Sequence, residues 1–238
     1  MGHYLPFYIR HAAYQGYDGI WLDLEHRAMD QREVQAILMF CYKHDIDCMV
    51  RTPTLEHSRL YRYLEDGATG LMVPLVPDDQ TARRVVEAAK FPPLGNRGFD
   101  GAGLDGDYVI DAWKPDGNFT EEANRETFVI VQIETPEAVH NVDKIAAVPG
   151  VDGLFIGPGD LGRRLAISGE MTVEQVIEKV SQVAKKHGKP WAITAGSLDD
   201  LIKHRKRGAQ LVPWGGDFGL IHVLKECREQ LDEVLDGE

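Results

Sequence analysis

Apolar residues along this chain fall into short unbroken runs, separated by longer stretches in which they recur every three or four positions. One pattern occurs four times: AAYQGYDGIWLDLEH (12–26), LEDGATGLMVPLV (64–76), AAVPGVDGLFIGPGDL (146–161) and KHRKRGAQLVPWGGD (203–217). In each, a glycine stands just before a run rich in Ile, Leu, Val or Phe. A glycine there predicts a helix C-cap in left-handed geometry, which costs little without a Cβ. The run after it predicts a parallel strand buried on both faces, which need not alternate. Further strands are predicted at Asp47–Arg51, 127–133 and 190–194, seven in all. The stretches between carry helical periodicity. Residues 31–44 place Val34, Ile37, Leu38 and Cys41 on one face, and 81–90 and Val173–His187 behave alike. Thr135-Pro136 reads as an N-cap followed by proline at the first helical position.

Strand and helix alternating throughout define an α/β fold. Successive strands lie mostly 20 to 35 residues apart, a spacing suited to βα units. The candidates are a (β/α)₈ TIM barrel and an open doubly wound sheet. No GxGxxG follows the first strand, which weakens a dinucleotide-binding fold. The 238 residues fit one barrel domain spanning 1–238. The one long irregular stretch, 95–126, exceeds an ordinary loop and predicts either a functional segment or short elements of its own.

Charge narrows the partners. With 26 basic and 38 acidic residues the chain carries −12. That balance argues against nucleic acid and against an anionic membrane surface. It leaves room for an anionic substrate held by a local arginine or metal ion. The cysteines, Cys41, Cys48 and Cys227, are odd in number and form no CxxC pair. They read as free thiols in a reducing cytoplasm. No apolar run nears the roughly 18 residues of a membrane span. The first residues, MGHYLPFYIRHAAYQ, show no signal-peptide core. The expected location is cytoplasmic.

Polar residues collect where the predicted strands end. Asp23, Glu25 and His26 follow IWL; Arg51 follows CMV; Gln132 lies inside FVIVQI and Glu134 just after it; Asp160 follows LFIG. In a barrel these ends share one face. Glu134 and Asp160 are candidate ligands of a hard divalent ion, since two carboxylates without thiolates or paired histidines suit Mg²⁺ or Mn²⁺. The alternative is that each caps a helix. His26, three residues after Asp23, is a candidate base held in one tautomer by the aspartate, or an inert packed histidine. Arg51 is a candidate clamp for a carboxylate or enolate oxygen, or the ion-pair partner of Glu25 or Glu134. Arg97 in GNRG reads as a loop residue or a second anion contact. Arg83-Arg84 and the run KHRKR (203–207) read as solvated helix faces.

Taken together, GYDGIWLDLEH (16–26), VRTP (50–53), GATGLMVPLV (67–76), GNRG (95–98), VQIETPEAVHNVDKIAAVPGVDGLFIGPGDL (131–161) and GAQLVPWGGD (208–217) resemble the HpcH/HpaI aldolase family, metal-dependent class II pyruvate aldolases of the 2-dehydro-3-deoxyglucarate and 4-hydroxy-2-oxo-acid type. The resemblance implies a (β/α)₈ barrel in a homotrimer or homohexamer. It implies a divalent metal ion (Mg²⁺ or Mn²⁺, with Co²⁺ open) on Glu134 and Asp160, chelated by pyruvate. Arg51 matches the arginine that stabilises the enolate oxygen. His26 matches a base acting through a metal-bound water, with Asp23 as its dyad partner. Glu25 would stand near the metal's waters. Gln132 would orient substrate, and the backbone at Gly159 and Asp160 would bind the pyruvate carboxylate. The implied reaction is reversible cleavage of a 4-hydroxy-2-oxo acid to pyruvate and an aldehyde.

Two departures stand out. The family's first strand has no clear counterpart, because only Met1–Leu5 precedes the segment matching its first helix. After GPGDL the chain reads GRRLAISGE, so Arg163 and Arg164 are expected either at the mouth or at a subunit contact. Two other readings compete: a CoA-thioester lyase of the citrate lyase β-subunit type, which would carry more basic residues than this chain does, and a non-catalytic barrel subunit.

Overall fold

A computed structural model describes residues 1–236. It contains α1 (Pro6–Tyr14), β1 (Gly19–Asp23), α2 (Gln31–Lys43), β2 (Asp47–Arg51), α3 (His57–Glu65), β3 (Gly70–Val73), α4 (Asp79–Ala89), α5 (Phe119–Glu126), β4 (Phe128–Ile133), α6 (Pro136–Ala146), β5 (Gly153–Ile156), α7 (Pro158–Ser168), α8 (Val173–His187), β6 (Trp191–Ile193), α9 (Leu198–Lys206) and α10 (Leu220–Leu235). All six strands are parallel and pair in chain order, β1 to β6. Helices cross between them, the arrangement of a barrel wall rather than of a doubly wound sheet, whose strand order reverses at its middle.

The sheet divides the core in two, and strand alternation decides which side each residue joins. Met49, Met72, Ile130, Phe155 and Ala192 form one cluster, with Trp21, Phe128 and Leu211 against it. Their strand neighbours, among them Leu22, Val50, Leu71, Val131, Leu154 and Ile156, belong to the larger cluster shared with the helices. The small cluster fills the concave side, as side chains fill a barrel. Two residues further along the same strands from Trp21, Met49 and Ile130 stand Asp23, Arg51 and Gln132. Period 2 therefore brings these three onto the concave side at the strands' C-terminal ends.

The local signals behave as their chemistry requires. Gly16, Gly67, Gly150 and Gly208, one in each repeated segment, all have positive φ (80°, 103°, 87° and 93°). Asp30 closes a capping box with Glu33 at the head of α2. Thr135 caps α6 by accepting from the Ala138 N–H. Val34, Ile37, Leu38 and Cys41 are the buried face of α2, as their spacing predicts.

The strand count differs from expectation. Six strands are present among the described residues, and the seventh, at LVPW, is a single parallel bridge between Ala192 and Leu211. A proline follows two residues later and supplies no ladder N–H. No strand precedes α1. Instead Met1 lies against β1: its amine donates to the Trp21 carbonyl (2.5 Å) and its carbonyl accepts from the Asp23 N–H (3.0 Å). Asp217, 5% exposed, accepts from the Gly2 N–H (2.8 Å) and contacts His3 Nδ1 (2.7 Å). That carboxylate ties the first residues to the last loop. A cavity of about 790 Å³ remains between β1 and the Leu211 stretch, lined by Tyr8, Tyr17, Trp21, Phe128 and Trp214 among others. None of Glu25, Arg51, Glu134 or Asp160 lines it.

Residues 95–126 hold elements of their own. They include a 3₁₀ turn at Leu104–Gly106 and α5, while Phe91, Phe99, Trp113 and Phe119 meet edge to face at 5.0 to 6.3 Å. Arg97 corrects the sequence reading, being neither a loop residue in solvent nor an anion contact. It is 4% exposed, pairs with Asp105 at 2.5 Å and lies over the Phe91 ring. The basic run of α9 departs from a solvated face at one position, His204, which is buried. Arg163 and Arg164 stand exposed on α7.

Candidate functional site

Neighbouring parallel strands bring Asp23 and Arg51 into register. Arg51 donates through Nε to Asp23 Oδ1 (2.9 Å) and through Nη2 to Oδ2 (2.7 Å). Its Nη1 stands 3.3 Å from Glu25 Oε2. The guanidinium also lies 5.1 Å from the centre of the Trp21 ring, so the fork rests on an aromatic face. The side chains are only 13% (Arg51), 14% (Asp23) and 16% (Glu25) exposed, so solvent and salt screen the pair less than they would a surface ion pair. Each such charge-assisted bond contributes about 1.5–3 kcal/mol. Burial opposes ionisation of Asp23, but the Arg51 hydrogen bonds and charge outweigh it and hold the carboxyl below its ordinary value.

The Asp23–His26 dyad expected from the sequence is not the arrangement found. Asp23 spends its oxygens on Arg51 and on the backbone N–H groups of Glu25 (3.1 Å) and His26 (3.3 Å). The His26 ring is half exposed, with Nε2 3.6 Å from Glu25 Oε2. The reason is register. A strand-paired arginine reaches Asp23 directly, whereas His26 lies past the strand end, where the chain turns outward. Asp23 therefore holds the His26 backbone, and Glu25 faces its ring. Burial pushes the Glu25 carboxyl up, against the pull of Arg51 and His26.

Glu134 follows β4 and is 3% exposed. Its Oε1 accepts from the Leu75 N–H (2.7 Å) and its Oε2 from Gln132 Nε2 (3.1 Å). It does not cap α6, since Thr135 does. Asp160 lies in the first turn of α7, whose N-cap, Gly157, makes no side-chain cap bond. The capping alternative thus fails for both carboxylates. Glu134 is pushed above its ordinary value, first by burial and then by the charges of Glu25 and Asp160, with the Leu75 N–H and Arg51 opposing. These three acids accordingly feel one another.

Sequence reasoning missed two residues of this site. Gly157 stands so close to Glu134 that a Cβ there would lie 2.8 Å from Oε2 and 2.9 Å from Glu134 Cβ. Leu75 has φ +54°. A non-glycine residue in that region costs about 1–2 kcal/mol. The flanking prolines at 74 and 77 hint at a stiff turn, but nothing in the residue types marks Leu75 as left-handed. Gly159, expected near the substrate carboxylate, is exposed, with open space where a Cβ would stand.

The residues fit a hard divalent cation. The donors are carboxylate oxygens, and the charges of Glu25 and Asp160 act against ionisation of Glu134, with Arg51 only partly opposing them. One buried oxygen, Gln132 Oε1, has no hydrogen-bond partner, and Glu25 Oε2 meets the Arg51 and His26 nitrogens at 3.3 and 3.6 Å. No group of three His, Cys, Asp or Glu side chains converges as a ligand set among the described residues. Two carboxylates with the remaining positions left to water or substrate is the arrangement Mg²⁺-like ions favour.

Residues 4–222 match the HpcH/HpaI aldolase/citrate lyase family model, and the chain belongs to that family. It is 32% identical over 211 residues to a 2-dehydro-3,6-dideoxy-6-sulfogluconate aldolase of Pseudomonas putida, covering 87% of this chain and 81% of that one. It is 33% identical to a 5-keto-4-deoxy-D-glucarate aldolase of Salmonella gallinarum over 86% of this chain and 79% of that one. Among solved structures, the HpcH/HpaI aldolase from Desulfitobacterium hafniense DCB-2 superposes with a TM-score of 0.87 at 32% identity, covering 97% of this chain and 90% of the other. The parallel α/β wall is thus this family's fold. A lyase with aldol cleavage as its reaction is the reading these relatives support over the thioester lyase and the non-catalytic subunit. Among the described residues no helix is long and apolar enough to cross a membrane.

Proposed function

We propose that the chain, one barrel domain over 1–238, cleaves a 4-hydroxy-2-oxo acid reversibly into pyruvate and an aldehyde, with a divalent cation (Mg²⁺, Mn²⁺ or Co²⁺) held by Glu134 and Asp160. The observation that carries this is Glu134, an acid buried among other acids and not spent on its helix. Neither caps its helix, and Glu134 is buried beside other carboxylates with a glycine cradle next to it. Bound there, the cation supplies Lewis-acid polarisation of the 2-oxo group, which lowers the cost of enolate formation.

The rest falls to this chain's own groups. Arg51 is aimed by its fork to Asp23, with N–H groups on its Nη atoms still available to the oxygen that gains charge. His26, half exposed beside Glu25, takes the proton of the substrate 4-hydroxyl in cleavage and returns a proton to C3 of the pyruvate enolate, exchanging with solvent. Gln132, its Oε1 unspent, orients substrate. The N-terminal backbone of α7 at Gly159 and Asp160 receives the pyruvate carboxylate, as helix N-termini receive anions.

The protein works as a homotrimer or homohexamer. The support is α10, which has no buried residue and presents Ile221, Val223, Leu224, Leu231 and Val234, each more than half exposed. An apolar stripe of that size calls for a partner surface. The expected location is the cytoplasm.

Proton–deuterium exchange of the pyruvate methyl group tests the function without knowledge of the aldehyde. NMR should show exchange that needs Mn²⁺ or Mg²⁺ and stops with EDTA. Absence of exchange in folded, metal-supplied protein would move the function to the thioester lyase or to a barrel subunit without catalysis.

A further inference from the structure

The turn after β3 reads Pro74-Leu75-Val76-Pro77. Pro74 has no N–H, so the first backbone donor beyond β3 is that of Leu75, which points at Oε1 of Glu134 from 2.7 Å. Leu75 itself adopts φ +54°, so the chain turns away directly after that N–H. Packing does not explain that conformation, since the side chain is 46% exposed. The turn around it is built to hold it. Pro77 restricts Val76 before it, and Val76 is 1% exposed. The Pro77 carbonyl accepts from Asn141 Nδ2 on α6 at 3.0 Å. Unfavourable backbone conformations persist where the surroundings over-determine them, and they gather at functional sites. On its other oxygen, Glu134 accepts from Gln132 Nε2 and lies where only a glycine at 157 lets it stand. The carboxylate is therefore held by hydrogen bonds from the ends of β3 and β4.

We propose that Leu75 is a positioning residue for the lyase: the turn it closes in left-handed geometry presents its N–H to Glu134 Oε1 and fixes the orientation in which that carboxylate meets a divalent cation. This rests on the reading of Glu134 as a metal ligand. Leu75 touches neither cation nor substrate through this bond; it acts through Glu134. Partners of this kind, which orient a ligating side chain, typically change metal affinity 10- to 100-fold when lost.

The test is the dissociation constant of Mn²⁺ for the substrate-free full-length chain, read from the electron paramagnetic resonance of free Mn²⁺. Replacing the Leu75 amide by an ester, with leucic acid introduced by nonsense suppression, deletes the N–H and keeps the side chain. It should weaken Mn²⁺ binding at least about tenfold. Leu75→Ile, whose β-branch disfavours left-handed geometry, should weaken it in the same direction and serves if the ester chain does not fold. Leu75→Asn keeps the N–H and tolerates that geometry, so its affinity should stay within about threefold of wild type, a side chain without a role of its own. Wild-type affinity in the ester chain and in Leu75→Ile overturns the proposal, as does a loss in Leu75→Asn equal to theirs. Glu134→Gln separates the two claims. If it weakens Mn²⁺ binding while the Leu75 variants do not, only the role of Leu75 fails. If wild type binds no Mn²⁺, or Glu134→Gln binds it equally well, the metal reading fails and takes this proposal with it.

Discussion

Arg51 and Asp23 join β2 to β1 by two parallel hydrogen bonds, 2.9 and 2.7 Å long, at the concave edge of the sheet. The aspartate aims the arginine, which leaves the histidine to Glu25. Lysine has no fork to offer Asp23 and no planar face for Trp21. Arg51→Lys should therefore lower kcat/KM for aldol cleavage by about 10²–10³, the range for loss of an oxyanion donor, while circular dichroism stays that of wild type. Near-wild-type turnover would show that Arg51 serves the fold alone.

His26 and Asp23 should separate kinetically. His26→Ala removes the proton carrier and should slow methyl exchange of pyruvate by about 10²–10⁴. In His26→Ala, added imidazole should restore part of that rate. Asp23→Asn leaves the His26–Glu25 contact in place and loosens Arg51, so imidazole should not rescue it. Rescue of both variants would restore the aspartate–histidine dyad as the working arrangement.

Glu134 gives a pH-dependent outcome with a definite sign. Burial, then the nearby acids, raise its carboxyl above the ordinary value of 4.5. The folded protein thus holds that proton more tightly than the unfolded chain does. Its stabilising effect is full below about 4.5 and is lost as pH rises through the higher folded value. At neutral pH the ionised group opposes folding of the metal-free protein. Glu134→Gln removes that charge, and Gln132, whose Oε1 is unpartnered, can turn its amide to meet the new one. The metal-free variant should melt above wild type at pH 7, each 1 kcal/mol appearing as about 2–4 °C, and the gain should vanish toward pH 4. Mn²⁺ should raise the melting temperature of wild type only. A variant less stable than wild type at pH 7 would contradict the sign.

The exposed face of α10 predicts assembly. Ile221→Asp with Leu224→Asp puts two charges on that face. Light scattering after size-exclusion chromatography should show wild type at three or six times the chain mass and the double variant as a monomer. A monomeric wild type would refute the assembly.

Much of the wall was legible in the residue order. The four glycines that end a helix and open a strand repeat one local solution, and left-handed geometry there is a property of glycine itself. Thr135-Pro136, Asp30 with Glu33 and the helical spacing in α2 likewise act through neighbours within four positions. Acids and an arginine at successive strand ends marked the site for the same reason: parallel strands joined by helices put their C-terminal ends on one side. Asp23, Arg51, Gln132 and Glu134 could therefore be named before any contact was known.

Who bonds to whom was decided only in three dimensions. Arg97 looks like a loop residue in GNRG, and only the folding of 95–126 over it buries it against Asp105 and Phe91. Asp23 is three residues from His26 and twenty-eight from Arg51, yet strand register gives its oxygens to the arginine. Leu75 is left-handed in a turn flanked by two prolines and a buried valine, and its N–H goes to a carboxylate 59 residues away. The seventh strand shrinks to one bridge, and Met1 takes up a place beside β1. Sequence determined what short-range geometry enforces: caps, periodicity and the side of the sheet each residue faces. The tertiary structure decided the pairings, because a hydrogen bond depends on positions to a fraction of an ångström, and those positions are set jointly by elements far apart in the chain.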